Sequence, residues 1–212
     1  MAIDDLLDEH EQSERVRNWL KNNGAGLVGG IALGLAVIFG WQWWQKHQLQ
    51  QSVQANLDYQ AVLDTLGAAD LDKAKAAVAR LQAGNAHVYA DLAAMRLAQA
   101  QADAGKEDLA IATLRGTKAD ASLQPLVDLR LARLLTASGK ADEALKLLGD
   151  ASDSASLEAR GDASMALGKR DQARDLYLKA LTGMDVAAPQ RRLVELKLTD
   201  AGGTPPKPAQ PI

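Results

Sequence analysis

The sequence has no cysteine, one phenylalanine, three histidines and six prolines in 212 residues. Without cysteine a disulfide framework, a thiolate metal site, a haem attachment motif and a cysteine nucleophile are all excluded. The redox compartment stays open, because such a chain is stable in reducing and oxidising surroundings alike. Positive charge is not in excess either. Against 24 Lys and Arg stand 27 Asp and Glu, a formal net charge of −3, so a basic face for nucleic acid is not expected. His10, His47 and His87 fall in three different regions; no HExxH, paired-histidine or acidic-cage pattern occurs, and no metal site is expected. There is no GxSxG elbow, and each Gly-Lys pair lacks the Ser or Thr of a phosphate loop. The acidic residues are scattered along the chain. No catalytic residue or cofactor is expected, and the chain reads as non-enzymatic.

Charge is missing altogether from one stretch. Between Lys21 and Lys46 run 24 uncharged positions, NNGAGLVGGIALGLAVIFGWQWWQ, where roughly 20 helical residues suffice to cross a hydrocarbon core of about 30 Å. All four tryptophans flank it: Trp19 before, and Trp41, Trp43 and Trp44 at its end. Trp19 and Trp41 are about 33 Å apart at helical rise, the spacing of two interfacial aromatic belts. A cleaved signal peptide would end in small residues at the cut, whereas this run leads into Trp-Gln-Trp-Trp-Gln-Lys. An uncleaved transmembrane helix over residues 22–45 is expected. Arg15, Arg17 and Lys21 precede it and only Lys46 follows closely, which places residues 1–21 in the cytoplasm and everything after residue 46 outside it. Asp4, Asp5, Asp8, Glu9, Glu11 and Glu14 count little in that rule. Gly26, Gly30 and Gly34 form consecutive GxxxG spacings, beside a second row at Ala32, Ala36 and Gly40; small residues four apart admit a partner helix. Glycine is also frequent in membrane helices on other grounds, so both readings stand. The GxGxxG match at residues 24–29 follows no strand and is discarded as a dinucleotide site.

From about residue 50 to 200 the chain is rich in alanine and leucine, and Gly67, Gly84, Gly105, Gly116, Gly139, Gly149, Gly168 and Gly183 punctuate helix-length segments. The pairs Gly105-Lys106, Gly139-Lys140 and Gly168-Lys169 recur at intervals of 34 and 29. Five residues after each glycine stands an alanine: Ala110, Ala144 and Ala173. Seven residues before stands a small residue, Ala98, Ala132 or Gly161, and nine after a larger apolar one, Leu114, Leu148 or Tyr177. Ala74, 36 residues before Ala110, marks a fainter fourth copy. Small residues where antiparallel helices meet, a glycine turn and a bulky filler together resemble the tetratricopeptide repeat. The second interval is five residues short, the repeat's tryptophan position carries Ala94, Asp128 and Leu157, and its terminal proline is absent. The expected fold is all-α: one transmembrane helix, then an α-solenoid of stacked antiparallel helix pairs over residues 46–200, with a flexible Pro/Gly-rich tail at 201–212.

Residues 1–21 carry a charge of −3, and the chain after Lys46 carries −1. The repeat region is thus nearly neutral and suited to apolar and hydrogen-bonded contact with another polypeptide. Arg96, Arg130 and Arg133 lie on first helices of repeats; Arg130 and Arg133 share a helix face and are candidates to clamp a carboxylate or a peptide carbonyl, or else to be solvated or locally paired. Tyr59, Tyr89 and Tyr177 are expected to fill the core with their hydroxyls at the surface.

Across nearly the whole chain to about residue 200, the order of EQSERVRNWLKNNG at 11–24, GWQWWQKHQ at 40–48, LRLAR at 129–133 and RGDASMALGKRDQAR at 160–174 resembles the YfgM-like ancillary subunits of the Sec translocon. That family comprises single-pass inner-membrane proteins with a periplasmic tetratricopeptide-like domain. The resemblance implies association with Sec translocon membrane subunits and with a membrane-anchored periplasmic chaperone of the prolyl-isomerase type, and a role in assisting newly exported client proteins. It also implies a link between the cytoplasmic tail and a stress-response regulator, so a membrane-anchored signalling regulator is the alternative function. A scaffold for envelope assembly that binds no client is a third.

Overall fold

A computed structural model describes residues 2–84 and 87–206, with side chains described from Ser13 onward except that of His87. The side chains of Asp4, Asp5, Asp8, Glu9, His10 and Glu11, and the tail beyond residue 206, lie outside the described residues. Among the described residues there are nine α-helices and no strand. Contacts divide the chain into two units, one reaching Val53 and one starting at Gln54.

The first unit is helix throughout. Helix α1 (Ala2–Gly67) begins well before the apolar run and ends in the second unit. No proline interrupts it, and its charged flanks are good helix formers. Within it lies a segment apolar and long enough to cross a membrane, and none of that segment is buried in the protein. Val28, Leu33 and Trp43 are each more than two-thirds exposed. A helix apolar on every side and covered by no protein needs an apolar medium around it.

The second unit is a stack of helix pairs. The last residues of α1 are followed by α2 (Leu71–Ala83), then α3 (His87–Asp103) with α4 (Glu107–Arg115), α5 (Gln124–Ala137) with α6 (Ala141–Leu148), α7 (Ser154–Ala166) with α8 (Arg170–Thr182), and a final α9 (Arg191–Asp200). Each pair packs internally, consecutive helices join one repeat to the next, and α5 also touches α7. The core is three linked clusters. Val62 of α1 packs with Ala74, Val78 and Leu81 of α2 and Ala93 and Leu97 of α3. Ile111, Leu114, Val127, Leu131, Leu135 and Leu148 fill the middle. Leu157, Leu176, Tyr177, Leu181, Val194 and Leu198 fill the far end.

The glycine turns have one geometry. Gly105, Gly139 and Gly168 hold φ of 68°, 75° and 73°, and the following lysine amide reaches back five residues, from Lys106 to the Gln101 carbonyl at 2.8 Å, Lys140 to Leu135 at 2.7 Å and Lys169 to Ser164 at 2.9 Å. This is the Schellman ending, whose left-handed residue favours glycine because it has no Cβ. Two further copies appear. Asp70 reaches Thr65 at 3.1 Å through Ala69, which holds φ of 57° without being glycine, and Gly203 reaches Leu198 at 2.9 Å through Gly202. The fourth repeat therefore carries alanine at the glycine position, and α9 matches the first helix of a fifth.

The short 29-residue interval has a local cause. Helix α6 is one residue shorter than α4, α7 is one shorter than α5, and the connection at 149–153 is three shorter than that at 116–123. The longer connection is tied down where the buried Asp91 accepts the Asp120 amide at 3.1 Å, and Pro125 opens α5 at a position where no amide hydrogen is needed.

Candidate functional site

Gly26, Gly30 and Gly34 lie on the exposed helix of the first unit, and beyond the adjoining backbone of that helix no described atom comes within 4 Å of where a Cβ would stand on any of them. This row is open to a neighbour. At the end of the apolar run Trp41 and Trp44 tilt against each other with centroids 5.3 Å apart, and Trp43 stacks on His47 at 5.6 Å.

In the repeat stack Ala98, Ala110, Ala132, Ala144 and Ala173 are almost wholly buried. At Gly161 there is no room for any side chain: a Cβ would overlap the Tyr177 ring. Where the other pairs oppose alanine and leucine, this one opposes glycine and tyrosine. The Tyr177 hydroxyl is not at the surface. It is buried with its ring and donates to Asp162 Oδ1 at 2.8 Å. Tyr59 and Tyr89 are half-buried, with ring centroids 5.8 Å apart.

Sequence reasoning took the Gly-Lys pairs as turn markers and missed what the lysine does. Lys140 Nζ reaches back one repeat to Asp108 Oδ1 at 2.8 Å, and Lys169 reaches Asp142 at 3.8 Å. The signal was present: GKED, GKAD and GKRD each place Asp three residues after the turn glycine. Lys140 holds the Asp108 carboxyl below the usual carboxylate range through that hydrogen bond. A second unforeseen cluster joins α5, α7, α8 and α9. Lys197 Nζ donates to Glu158 Oε1 and Asp162 Oδ2, both at 2.7 Å, and Arg133 donates to Glu158 Oε2 at 3.3 Å. Glu158 is buried, and the two cations that meet it offset the cost of burying a carboxylate. Burial pulls the Lys197 ammonium towards losing its proton, but the bonds to Asp162 and Glu158 outweigh that and raise its pKa. Burial, followed by the Asp162 hydrogen bond, pushes the Tyr177 hydroxyl far above its ordinary value.

The three candidate arginines separate. Arg133 is paired with Glu158. Arg96 and Arg130, each nine residues before its turn glycine, have no hydrogen-bond or ion-pair partner among the described residues; Arg96 is exposed and Arg130 half-buried. Arg130 and Arg133 line a groove of about 350 Å³ between α3 and α5, floored by Met95, Ala98, Leu114 and Leu134. Arg96 is not part of its lining. Two further grooves of about 420 and 450 Å³ share Gln124, Asp128 and Leu147. Among the described residues no group of three metal-ligating side chains converges. The arrangement offers surfaces for polypeptides: an uncovered row of small residues on an apolar helix, and a cation-edged apolar groove on the repeat stack.

Comparison with known proteins agrees with this architecture. The family model described as a tetratricopeptide repeat-like domain matches residues 17–203, from within the N-terminal charged segment to just past the end of α9. A protein of Escherichia coli (strain K12) named as an ancillary SecYEG translocon subunit is 30% identical over 200 residues, covering 91% of this chain and 96% of that one. One of the same name from Haemophilus influenzae is 26% identical over 183 residues, covering 82% and 89%. A third, from Aggregatibacter actinomycetemcomitans, is 23% identical over 201 residues, covering 92% and 98%. With one uncovered apolar helix, a stack of Schellman-closed helix pairs and relatives matched over nearly their full length, the chain belongs to the tetratricopeptide repeat-like family of ancillary SecYEG translocon subunits.

Proposed function

We propose that this chain is a non-enzymatic ancillary subunit of the Sec translocon. Residues 22–45 anchor it in the inner membrane, residues 1–21 lie in the cytoplasm, and the repeat domain of residues 46–200 stands in the periplasm. There it works beside a membrane-anchored chaperone of the prolyl-isomerase type, binding newly exported proteins or handing them over. One observation carries the reading: an apolar segment long enough to cross a membrane, none of it buried among the described residues, precedes a stack of helical pairs in the chain. The names of the relatives point to the translocon. Arg15, Arg17 and Lys21 against Lys46 support the orientation. Gly26, Gly30 and Gly34 are the face proposed to meet a translocon helix, where small residues allow close approach.

A photoreactive residue at position 30, activated in native membranes, tests this. The reading predicts adducts with a translocon membrane subunit, and weaker adducts from position 28. Adducts with neither a translocon subunit nor a chaperone would overturn it. Deleting residues 2–14 separates the signalling alternative, because the ancillary-subunit reading predicts undiminished adducts.

A further inference from the structure

We propose that the groove between α3 and α5 is a docking site for an extended acidic segment of a partner polypeptide. Arg130 holds a side-chain carboxylate, and the flanking apolar residue sits on Met95, Leu114 and Leu134. This deepens the reading above by giving the partner of the repeat domain a chemistry.

The inference starts from an unmatched charge. Other cations that reach across this stack meet carboxylates: Arg115 meets Glu143, Lys140 meets Asp108 and Arg133 meets Glu158. Arg130, half-buried beside apolar side chains, meets none among the described residues. Covering the groove with a neutral segment would strip water from the guanidinium and leave it unpaired, which is costly in a low-dielectric contact. A segment that carries a carboxylate replaces the lost water with a charge-assisted, potentially bidentate contact. The same groove therefore accepts acidic segments and rejects neutral ones, and discrimination comes as much from the rejection as from the attraction. At about 350 Å³ it takes one or two side chains and not a folded domain. Arg133, engaged by Glu158, plays the lesser part. Arg96 stands 34 residues earlier, at the matching repeat position, and extends the basic row towards a second acidic residue. The acidic residues at 4–14 of this chain are not the occupant, since in the proposed orientation the bilayer separates them from the repeats.

The test uses the full chain in nanodiscs of zwitterionic lipid and two blocked peptides with a neutral fluorophore, acetyl-Ala-Leu-Glu-Leu-Ala-amide and its Gln analogue, read by anisotropy. The expected result is binding of the Glu peptide about tenfold tighter than the Gln peptide, the size of one charge-assisted hydrogen-bond contact. Arg130→Gln should remove that preference while leaving the Gln peptide unchanged, and Arg133→Gln should weaken the Glu peptide only about twofold to threefold. Equal affinity of the wild-type chain for the two peptides overturns the proposal. So does an undiminished preference in Arg130→Gln. Capture of phosphatidylglycerol vesicles that depends on Arg130, without any peptide preference, would assign the groove to lipid and also overturn it. Position-30 adducts to the translocon are measured separately, in native membranes. Their persistence without a peptide preference removes only this site, whereas their absence removes the parent reading.

Discussion

Ala69 sits where its four counterparts, Gly105, Gly139, Gly168 and Gly202, are glycine, with φ of 57° and the same back-reaching amide after it. A Cβ in the left-handed region costs about 1–2 kcal/mol, while glycine adds roughly 0.4–1 kcal/mol of unfolded-state entropy. Ala69→Gly should therefore stabilise the chain by about 0.5–1 kcal/mol, read as a small rise in the helical melting temperature in detergent. Gly139→Ala, its mirror image, should lower it. A different constraint holds Gly161, whose absent side chain leaves space for the Tyr177 ring. Gly161→Ala is expected to cost about 1–3 kcal/mol by overpacking. Adding Tyr177→Leu recreates the alanine and leucine opposition of the other repeats, so the double variant should be more stable than the sum of the singles by at least about 1 kcal/mol in a thermodynamic cycle. Tyr177 and Lys197 also set a pH response. Both bind their protons more tightly folded than unfolded. Their contribution is thus complete below about pH 10, where unfolded Tyr and Lys remain protonated, and is lost as pH rises beyond it. Urea titrations from pH 8 to 11 should show stability falling above about pH 10, with a shallower fall in Tyr177→Phe.

At the scale of elements, the repeated turn organises the stack. Lys140 is tied to Asp108 one repeat back, but the aspartate is almost fully exposed, and water and salt screen such a pair. Lys140→Gln should accordingly shift the denaturation midpoint only slightly, and the shift should vanish in high salt. The helix pairs were legible in the sequence because glycine, small residue and bulky residue are read at fixed offsets along one chain. All eight glycines from Gly67 to Gly183 named as turn signals fall at the ends of helices or beside them. The Ala69 turn was illegible because its marker is not glycine, and the Lys140–Asp108 link because it joins residues 32 apart through stacking. Nor could sequence tell Arg133 from Arg130. Both are arginines on one helical face, and only the position of Glu158 on α7 decides which is paired. Helix α9 is the last helix among the described residues. Glu195 occupies the position that Ala98, Ala132 and Gly161 hold elsewhere, and Gly203 lies close over Leu198 and Arg174.

For the whole molecule, the decisive feature is how apolar surface is distributed. The repeat unit packs leucines and alanines into a core of its own. The apolar run of α1 buries none of its own. Those two facts are reconciled by a bilayer around the one and water around the other. The proposed side rests on the basic residues, three before the run and one close behind it. Everything proposed for the groove at Arg130 and for exported clients depends on that side. Two fusions at the end of the chain address it: a phosphatase that folds only outside the cytosol, and a fluorescent protein that matures only inside. The account predicts an active phosphatase and a dark fluorescent protein. A bright fluorescent protein with inactive phosphatase would contradict it.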